Sequence, residues 1–317
     1  MVTWTDNVKE RHQRRANDFE EFDKRKNFIQ LTGLITGRII KEIKSKYDDL
    51  FDQFSHRHQF EDNRENPTRL LCLVLTTSQT REHALAVKNT WGRRCDKIIF
   101  SSDVEDKDLG SVSLKASYQN GDDVLWIKTK ESFKYLFDHH LQDYDWFFKA
   151  DVDTYVIVEN LRYVLTPYNP KYPIALGERA HVDGNANNSF LSGGAGYVLS
   201  QGALKIFGEV IYPAANPCHG RTVSNEDVMM GVCMTRSGIM LGDTRDELGR
   251  HRFYHNKPED YIDGKWQKWF PNMMRYRYDK GINSLSETSV SFHTFKNSSH
   301  LYFLERLIYE TKVSSCD

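Results

Sequence analysis

Two aspartates one residue apart lie in an otherwise apolar stretch, "DYDWFFKADVDTYVIV", residues 143–158. Side chains alternate between the faces of a strand, so Asp151 and Asp153 are expected to share one face with Lys149. Two carboxylates at a water-accessible strand end repel each other unless a cation lies between or beside them. Their oxygens suit Mg²⁺ or Mn²⁺, which often complete their coordination with water and phosphate oxygens. The pair indicates a metal site for a nucleotide diphosphate; a turn in which both aspartates bind backbone amides is the alternative.

Three later segments would have to converge on this pair in an enzyme. "LSGGAGYVLS" (191–200) places Gly194 and neighbouring glycines before a strand, where a ligand or another backbone segment can approach closely. "VSNEDVMMG" (223–231) puts Glu226 and Asp227 in the first turn of a predicted helix. Acids there also compensate the helix dipole, so simple capping is the alternative to catalysis.

A third segment, "VSFHTF" (290–295), sets His293 among apolar strand residues. An ordinary core histidine is the alternative to a ligand in that setting. The chain contains neither GxxxxGK[ST] nor a glycine-rich kinase loop, which disfavours a kinase-type phosphate site.

The elements that must position these side chains alternate along the chain. Residues 1–66 carry dense mixed charge with apolar residues at helical intervals, which predicts a helical stem or extension. From residue 67 to residue 317 we expect one α/β catalytic domain, because short apolar runs alternate with helical patterns. The strand predictions comprise "RLLCLVLTT", "KIIFSS", "VLWIK", "WFFKA", "PIALGER" and "GAGYVLS". The helix predictions comprise "SQTREHALAVKNTWG", "TKESFKYLFDHHL", "SQGALKIFGEVI" and "SNEDVMMGVCMTRSG".

Composition excludes several classes of protein. The 317 residues are 39% hydrophobic and 27% charged, which is typical of a globular protein and not of a disordered chain. A formal net charge of -1 gives no basic field for a polyanion, so nucleic acid is not expected as a partner. No window of eighteen apolar residues is present, so no clear membrane span is predicted. The five cysteines lack the spacing of a zinc site, which leaves disulfides or buried free thiols.

The combination resembles the core 1 β1,3-galactosyltransferases within glycosyltransferase family 31, from about Arg69 to Tyr309. The resemblance rests on "VKNTWGRRCDKIIF", "LWIKTKESFKYLFDHHLQDYDWFFKADVDTYV", "SGGAGYVLS", "EDVMMG", "GDTRDELGRHRF" and "SFHTF", in this order. The paired aspartates, the glycine loop and the EDV are shared across family 31. The "KTKE…YDWFFKADVDTYV" block and "GDTRDELGRHRF" are narrower and point to the core 1 group.

The resemblance implies a GT-A fold, an α/β architecture with a Rossmann-like mixed sheet flanked by helices. It also implies Mn²⁺, a UDP-galactose donor and transfer to the 3-hydroxyl of O-linked N-acetylgalactosamine on glycoproteins. By the same resemblance Asp227 is the general base. The implied metal ligands are Asp153 and His293, with Asp151 nearby. The implied donor-binding residues are Lys149, Asp151 and Lys128, and the implied acceptor-binding residues are Glu226, Gly194, Trp266 and Trp269.

Other family properties are expected on the same ground. The two tryptophans would stack on a sugar ring, although buried aromatics more often simply pack. Disulfides are expected between Cys72 and Cys95 and between Cys218 and Cys233. A homodimer is expected, as is a Golgi membrane location with a lumenal catalytic domain, although this sequence shows no clear membrane span.

One departure from the family pattern is Val152, which stands where the family usually has a third consecutive acid. We expect the neighbouring pair to survive this change because position 152 faces away from it. The alternative functions are a family 31 transferase that uses another UDP-sugar, an inactive chaperone-like relative and, more remotely, a metal-dependent phosphohydrolase. A chaperone-like relative would be expected to lose the acidic motif, whereas this chain keeps it.

Overall fold

The computed structural model describes residues 68–114, 122–182, 189–213, 225–266 and 270–311. The predicted stem, residues 1–66, lies outside the described residues and stays a prediction. The described strands are Leu70–Leu75 (β1), Lys97–Ser102 (β2), Ser111–Ser113 (β3), Trp146–Asp151 (β4), Tyr155–Val156 (β5), Ile174–Gly177 (β6), Arg179–His181 (β7), Ser189–Leu191 (β8), Tyr197–Ser200 (β9), Met240–Leu241 (β10), Phe253–Tyr254 (β11) and Ser291–Phe292 (β12).

Helices connect most of these strands. The described α-helices are Arg81–Asn89 (α1), Asp122–His140 (α2), Val158–Leu165 (α3), Gln201–Ile206 (α4), Glu226–Arg236 (α5), Pro258–Asp263 (α6), Phe270–Met273 (α7) and Ser299–Glu305 (α8). The helices α4 and α8 continue as π-helical turns over Phe207–Ile211 and Arg306–Glu310. No helix in the described part of the chain combines the length and apolar character that crossing a bilayer requires.

A mixed seven-stranded sheet in the order β10-β6-β9-β4-β1-β2-β3 forms the centre of the structure. The strand β9 runs antiparallel to both of its neighbours, β4 and β6, whereas the other pairings are parallel. The carboxyl end of β4 and the amino end of β9 therefore meet at one edge of the sheet. Open α/β sheets bind ligands at the carboxyl ends of their parallel strands, and the predicted site residues Asp151 and Gly194 lie at this edge.

Buried apolar side chains cover both faces of this sheet, as expected for strands that are mainly parallel. Along β1, Leu70, Cys72 and Val74 join one hydrophobic cluster, and Leu71, Leu73 and Leu75 join the other. Because β1 is buried on both faces, its sequence reads as a continuous apolar run. This architecture confirms the predicted α/β fold with a mixed sheet flanked by helices.

One strand prediction is wrong. The run "VLWIK", predicted as a strand, lies inside α2. Trp126 is fully buried in the same hydrophobic cluster as Phe133, seven residues later, whereas Leu125 is 40% exposed. A spacing of seven residues places two side chains on one face of a helix. A five-residue apolar run does not by itself distinguish a strand from one turn of a buried helix.

A disulfide joins Cys72 on β1 to Cys95, which follows the turn Trp91–Arg94. Cys233 in α5 is also disulfide-bonded. Its predicted partner, Cys218, lies outside the described residues.

Candidate active site

The end of β4 carries the first part of the site. The strand ends at Asp151, and Asp153 lies in the turn that follows, where Thr154 N donates a hydrogen bond to the carbonyl of Asp151. The expectation that both aspartates sit on the strand is therefore wrong for Asp153. Val152 packs against the hydrophobic core, as expected from its direction. The turn nevertheless keeps the two carboxylates close together.

His293, directly after β12, completes a cluster with these aspartates. Ligand atoms of Asp151, Asp153 and His293 lie within 4.8 Å of one another. His293 Nε2 is 3.1 Å from Asp153 Oδ1, although the two residues are far apart in sequence. Two carboxylates and an imidazole form a donor set that suits Mn²⁺.

The ring of His293 is oriented by a backbone group. Its Nδ1 donates to the carbonyl oxygen of His255 at 3.0 Å, which leaves Nε2 directed at the aspartates. Metal-binding histidines are commonly held this way, with the second ring nitrogen donating to a carbonyl or carboxylate. Burial opposes protonation of His293, but the hydrogen bond that its ring donates to Asp153 raises the pKa of His293. The donor set therefore fits the implied metal in composition and in the support of its histidine.

The backbone at Thr294, next to His293, is strained. Its φ is 72°, a left-handed conformation that is unusual for a β-branched residue. Phe295 N then donates to the carbonyl of Asp153 at 3.1 Å. The turn thus ties the histidine segment to the aspartate turn, and strain of this kind is concentrated at functional sites.

The glycine loop between β8 and β9 lies against both the cluster and the first turn of α5. A side chain at Gly194 would overlap the His293 ring, and one at Gly193 would press on Glu226 and Asp227. Thr154 Oγ1 donates to the carbonyl of Gly194 at 2.9 Å and holds the loop against the aspartate turn. The glycines are needed here because other segments approach the loop closely.

Asp227 lies in the first turn of α5, half-buried, on the other side of this loop. Gly193 N donates to its Oδ2 at 3.1 Å, and Val228 N donates to its Oδ1 at 2.8 Å. Burial raises the pKa of Asp227, and the hydrogen bond from Gly193 opposes this. A fixed carboxylate with a raised pKa has the properties of a general base.

Lys149 and Glu226 form a buried pair between the two parts of the site. The Lys149 ammonium is 2.9 Å from Asp151 Oδ1 and 3.4 Å from Glu226 Oε2. Tyr197 donates its hydroxyl proton to Glu226 Oε1 at 2.5 Å. Asp151 and Glu226 raise the pKa of Lys149 although burial opposes this. A contact between Lys149 and a nucleotide would require this side chain to become exposed, since it is 0% exposed here.

The remaining predicted residues differ in how the structure places them. Lys128, on α2, is buried and donates to the carbonyl of Thr76 at the end of β1. Burial lowers the pKa of Lys128 to about 8. Trp266 is partly buried and packs near Tyr261 and Tyr278. Trp269 lies outside the described residues, so its part in acceptor binding stays a prediction, as does that of Trp266.

Three residues that support the site were not predicted from sequence. Tyr197 binds Glu226, Thr154 binds the glycine loop, and His255 places its carbonyl against His293. The ring of His255 also lies beside Ser192, with 2.8 Å between Nδ1 and the serine Oγ. Nothing in the local pattern distinguishes these residues, because their partners come from distant segments.

Comparison with known proteins assigns the chain to a family. The Fringe-like family matches residues 66–307. The glycoprotein-N-acetylgalactosamine 3-beta-galactosyltransferase 1 of Xenopus laevis is 35% identical over 268 residues, 81% of this chain and 72% of that protein. The beta-1,3-glucosyltransferase of Mus musculus is 26% identical over 176 residues, 55% of this chain and 33% of that protein.

Two further similarities are present. The chondroitin sulfate synthase 3 of Homo sapiens is 25% identical over 249 residues, 73% of this chain and 26% of that protein. A solved structure of the galactosyltransferase LgtC with donor and acceptor sugar analogues gives a TM-score of 0.46 at 9% identity, covering 76% of this chain and 97% of that one. The family match and the Xenopus relative each cover most of the chain. The protein therefore belongs to the Fringe-like family and, within it, to the core 1 β1,3-galactosyltransferase group of glycosyltransferase family 31.

Proposed function

We propose that this protein transfers galactose from UDP-galactose to the 3-hydroxyl of O-linked N-acetylgalactosamine on glycoproteins, with inversion and with Mn²⁺ as cofactor. One observation carries the proposal. The metal-type cluster of Asp151, Asp153 and His293 is joined by a short glycine loop to the half-buried carboxylate of Asp227. An inverting transfer needs such a pair of groups, one on the leaving side and one on the acceptor side.

The donor side is assigned to the cluster. Asp153 and His293 would hold the metal, with Asp151 beside them at the end of β4. A bound Mn²⁺ would neutralise the negative charge on the departing diphosphate. The hydrogen bond from His293 to the carbonyl of His255 keeps Nε2 directed toward the cluster. The protein thus contributes fixed ligands and a fixed histidine tautomer.

The acceptor side is assigned to Asp227. Its carboxylate takes the proton of the acceptor 3-hydroxyl as that oxygen bonds to the anomeric carbon of galactose. The bond from this carbon to the diphosphate oxygen breaks at the same time, and its electron pair leaves with UDP. Gly193 N and Val228 N hold the carboxylate in place while each oxygen keeps a lone pair for the hydroxyl.

The chemistry of both sides also argues against an inactive chaperone-like relative. Such a relative has no need of metal ligands or a base, whereas this chain brings a metal-type cluster and a half-buried carboxylate together. A different UDP-sugar donor would use the same two sides, and the experiment below therefore includes several donors.

From the family resemblance we also propose a homodimer in the Golgi, with the catalytic domain on the lumenal side.

The test is transfer by the purified protein. It is incubated with Mn²⁺, a peptide carrying O-linked N-acetylgalactosamine, and UDP-galactose, UDP-glucose, UDP-N-acetylglucosamine or UDP-glucuronic acid in separate reactions. We expect a β1,3-linked disaccharide from UDP-galactose alone, and none after chelation of the metal. Product from another donor only would replace the donor assignment. Absence of product from every donor with folded protein would defeat the transferase proposal.

A further inference from the structure

Lys149 lies wholly inside the protein, between the metal-type cluster and the first turn of α5. The residue is on β4, two positions before Asp151, and its side chain is 0% exposed. Its ammonium is 2.9 Å from Asp151 Oδ1 and 3.4 Å from Glu226 Oε2, and donates to the carbonyl of Gly193 at 3.2 Å. An ammonium has three N–H bonds, so these three acceptors match its full hydrogen-bonding capacity.

The three acceptors belong to three different parts of the site. Asp151 is a member of the metal-type cluster, Gly193 belongs to the glycine loop, and Glu226 is the first residue of α5. Asp227 follows Glu226 directly and also accepts a hydrogen bond from Gly193 N. The ammonium therefore contacts the donor side directly, and it contacts both segments that hold the base.

We propose that Lys149 is a positioning residue that sets the distance between the metal ligands and the general base, and that it does not contact the nucleotide. This inference rests on the function proposed above. Group transfer needs the acceptor hydroxyl and the leaving diphosphate to lie on opposite sides of one carbon atom. A misplacement of about 1 Å between such groups costs about 100-fold in rate.

The surroundings of Glu226 support a positioning role. Its other oxygen accepts the Tyr197 hydroxyl at 2.5 Å, and the side chain is 3% exposed. Tyr197 begins β9, which pairs with β4 so that Tyr197 lies opposite Lys149. The carboxylate is thus fixed on two sides, and a shift of Lys149 would be transmitted to the start of α5.

A double-mutant cycle tests the link. Lys149→Met and Glu226→Gln are made singly and together, and kcat and KM are measured for donor and acceptor. Calorimetric titration of the nucleotide-free protein with Mn²⁺ counts the folded metal sites, and kcat is expressed per site. We expect each single variant to lower kcat by about 100-fold with KM values within about threefold. The double variant should lose no more than the worse single variant, because both changes break one link.

A matched control uses an exposed pair of the same residue types. Lys205 and Glu209 lie one turn apart on the surface, 3.9 Å from nitrogen to oxygen. Lys205→Met and Glu209→Gln, singly and together, should leave kcat, KM and the number of metal sites unchanged. A kcat loss in this control would show that the assay responds to any lost lysine–glutamate pair.

Several outcomes would overturn the proposal. Independent, additive losses of kcat in the double variant would mean that the two residues act separately. A raised KM for the donor with unchanged kcat would show that Lys149 binds the nucleotide. A loss of kcat that disappears when kcat is expressed per metal site would show that Lys149 acts only in folding.

If Lys149→Met does not fold, the Glu226→Gln variant alone tests the link, since glutamine keeps the shape of the side chain. An unchanged kcat in Glu226→Gln would then reject the link between the two residues. Failure of the proposed function would appear instead in the unmodified protein, as absence of product from every donor.

Discussion

Gly194 and the imidazole of His293 fit together only because position 194 has no side chain, since a Cβ there would overlap the ring. We predict that Gly194→Ala pushes His293 away from Asp153. Mn²⁺ binding should weaken by about 10- to 100-fold, the range typical of changes to residues that orient a metal ligand. Calorimetric titration of the nucleotide-free protein measures this. Gly281→Ala is the control: its Cβ meets open space but its φ of 87° is strained, so it should lower stability without weakening Mn²⁺ binding.

Removal of the histidine ligand is the second prediction. His293→Ala should weaken Mn²⁺ binding by more than about 100-fold, since loss of an outer-shell partner alone costs 10- to 100-fold. His300→Ala removes an exposed imidazole a few residues later in the same segment and should leave metal binding unchanged. Equal affinity in the two variants would exclude His293 from the ligand set.

The third prediction concerns the pH dependence of the reaction. Burial raises the pKa of Asp227, and the residue must be ionised to accept the hydroxyl proton. Activity should therefore be lost as pH falls through a value above about 3.9, the ordinary pKa of an aspartate. Measurement of kcat against pH at saturating metal and donor gives this acid limb, the fall of activity at the low-pH side of the profile.

Asp227→Asn should lower kcat by about 100- to 10,000-fold and remove the limb, because an amide cannot take the proton. Mn²⁺ affinity should be unchanged, since Asp227 is not part of the metal-type cluster. Full activity in this variant would reject the assignment of the base.

A fourth prediction concerns stability at the C-terminal helix. Glu305 is buried and accepts hydrogen bonds from Arg94, Arg93 and Tyr155. Burial would raise the pKa of Glu305, but the hydrogen bonds from Arg94 and Tyr155 outweigh it and lower the pKa. Glu305→Gln should therefore reduce the free energy of unfolding by about 1–3 kcal/mol at neutral pH.

The sign of the pH effect follows from that lowered pKa. The ionised carboxylate stabilises the fold above the unfolded pKa of about 4.3, and the benefit is lost as pH falls through the lower folded value. The difference in the free energy of unfolding between Glu305→Gln and the unmodified protein should thus become smaller at acidic pH. Denaturant unfolding across this pH range measures it, and a constant difference would show that the charge on Glu305 is not responsible.

Local pattern was sufficient for much of the sheet. The run that became β1 was recognisable because a strand buried on both faces reads as a continuous apolar run. The run "KIIFSS", which became β2, was recognisable by the three apolar residues at its centre. The two-residue strands β5 and β12 pair with each other and bring His293 toward the aspartates. Strands this short carry no periodicity, so their pairing was not predictable from local sequence.

The sequence predicted which residues form the candidate site better than it predicted the contacts between them. Strand alternation indicates that Lys149 and Asp151 face the same way, which the structure bears out with an ion pair. Strand alternation does not predict how far a side chain is shielded from solvent, and Lys149 is completely buried. The contacts of Glu226 with Tyr197 and Lys149 depend on how β9 and α5 pack, which is a property of the tertiary fold.

The order in which the site residues occur along the chain has a consequence for biosynthesis. Strands β1, β2 and β4 emerge early from the ribosome, but Gly194 and Asp227 follow later and His293 comes close to the end of the described chain. Contacts between distant segments form slowly because a long loop must close first. A nascent chain that ends before β12 therefore lacks the histidine ligand, and its metal-type cluster is incomplete. Metal capture should accordingly mark a late stage of folding, and partly synthesised chains would depend on protection from aggregation until then.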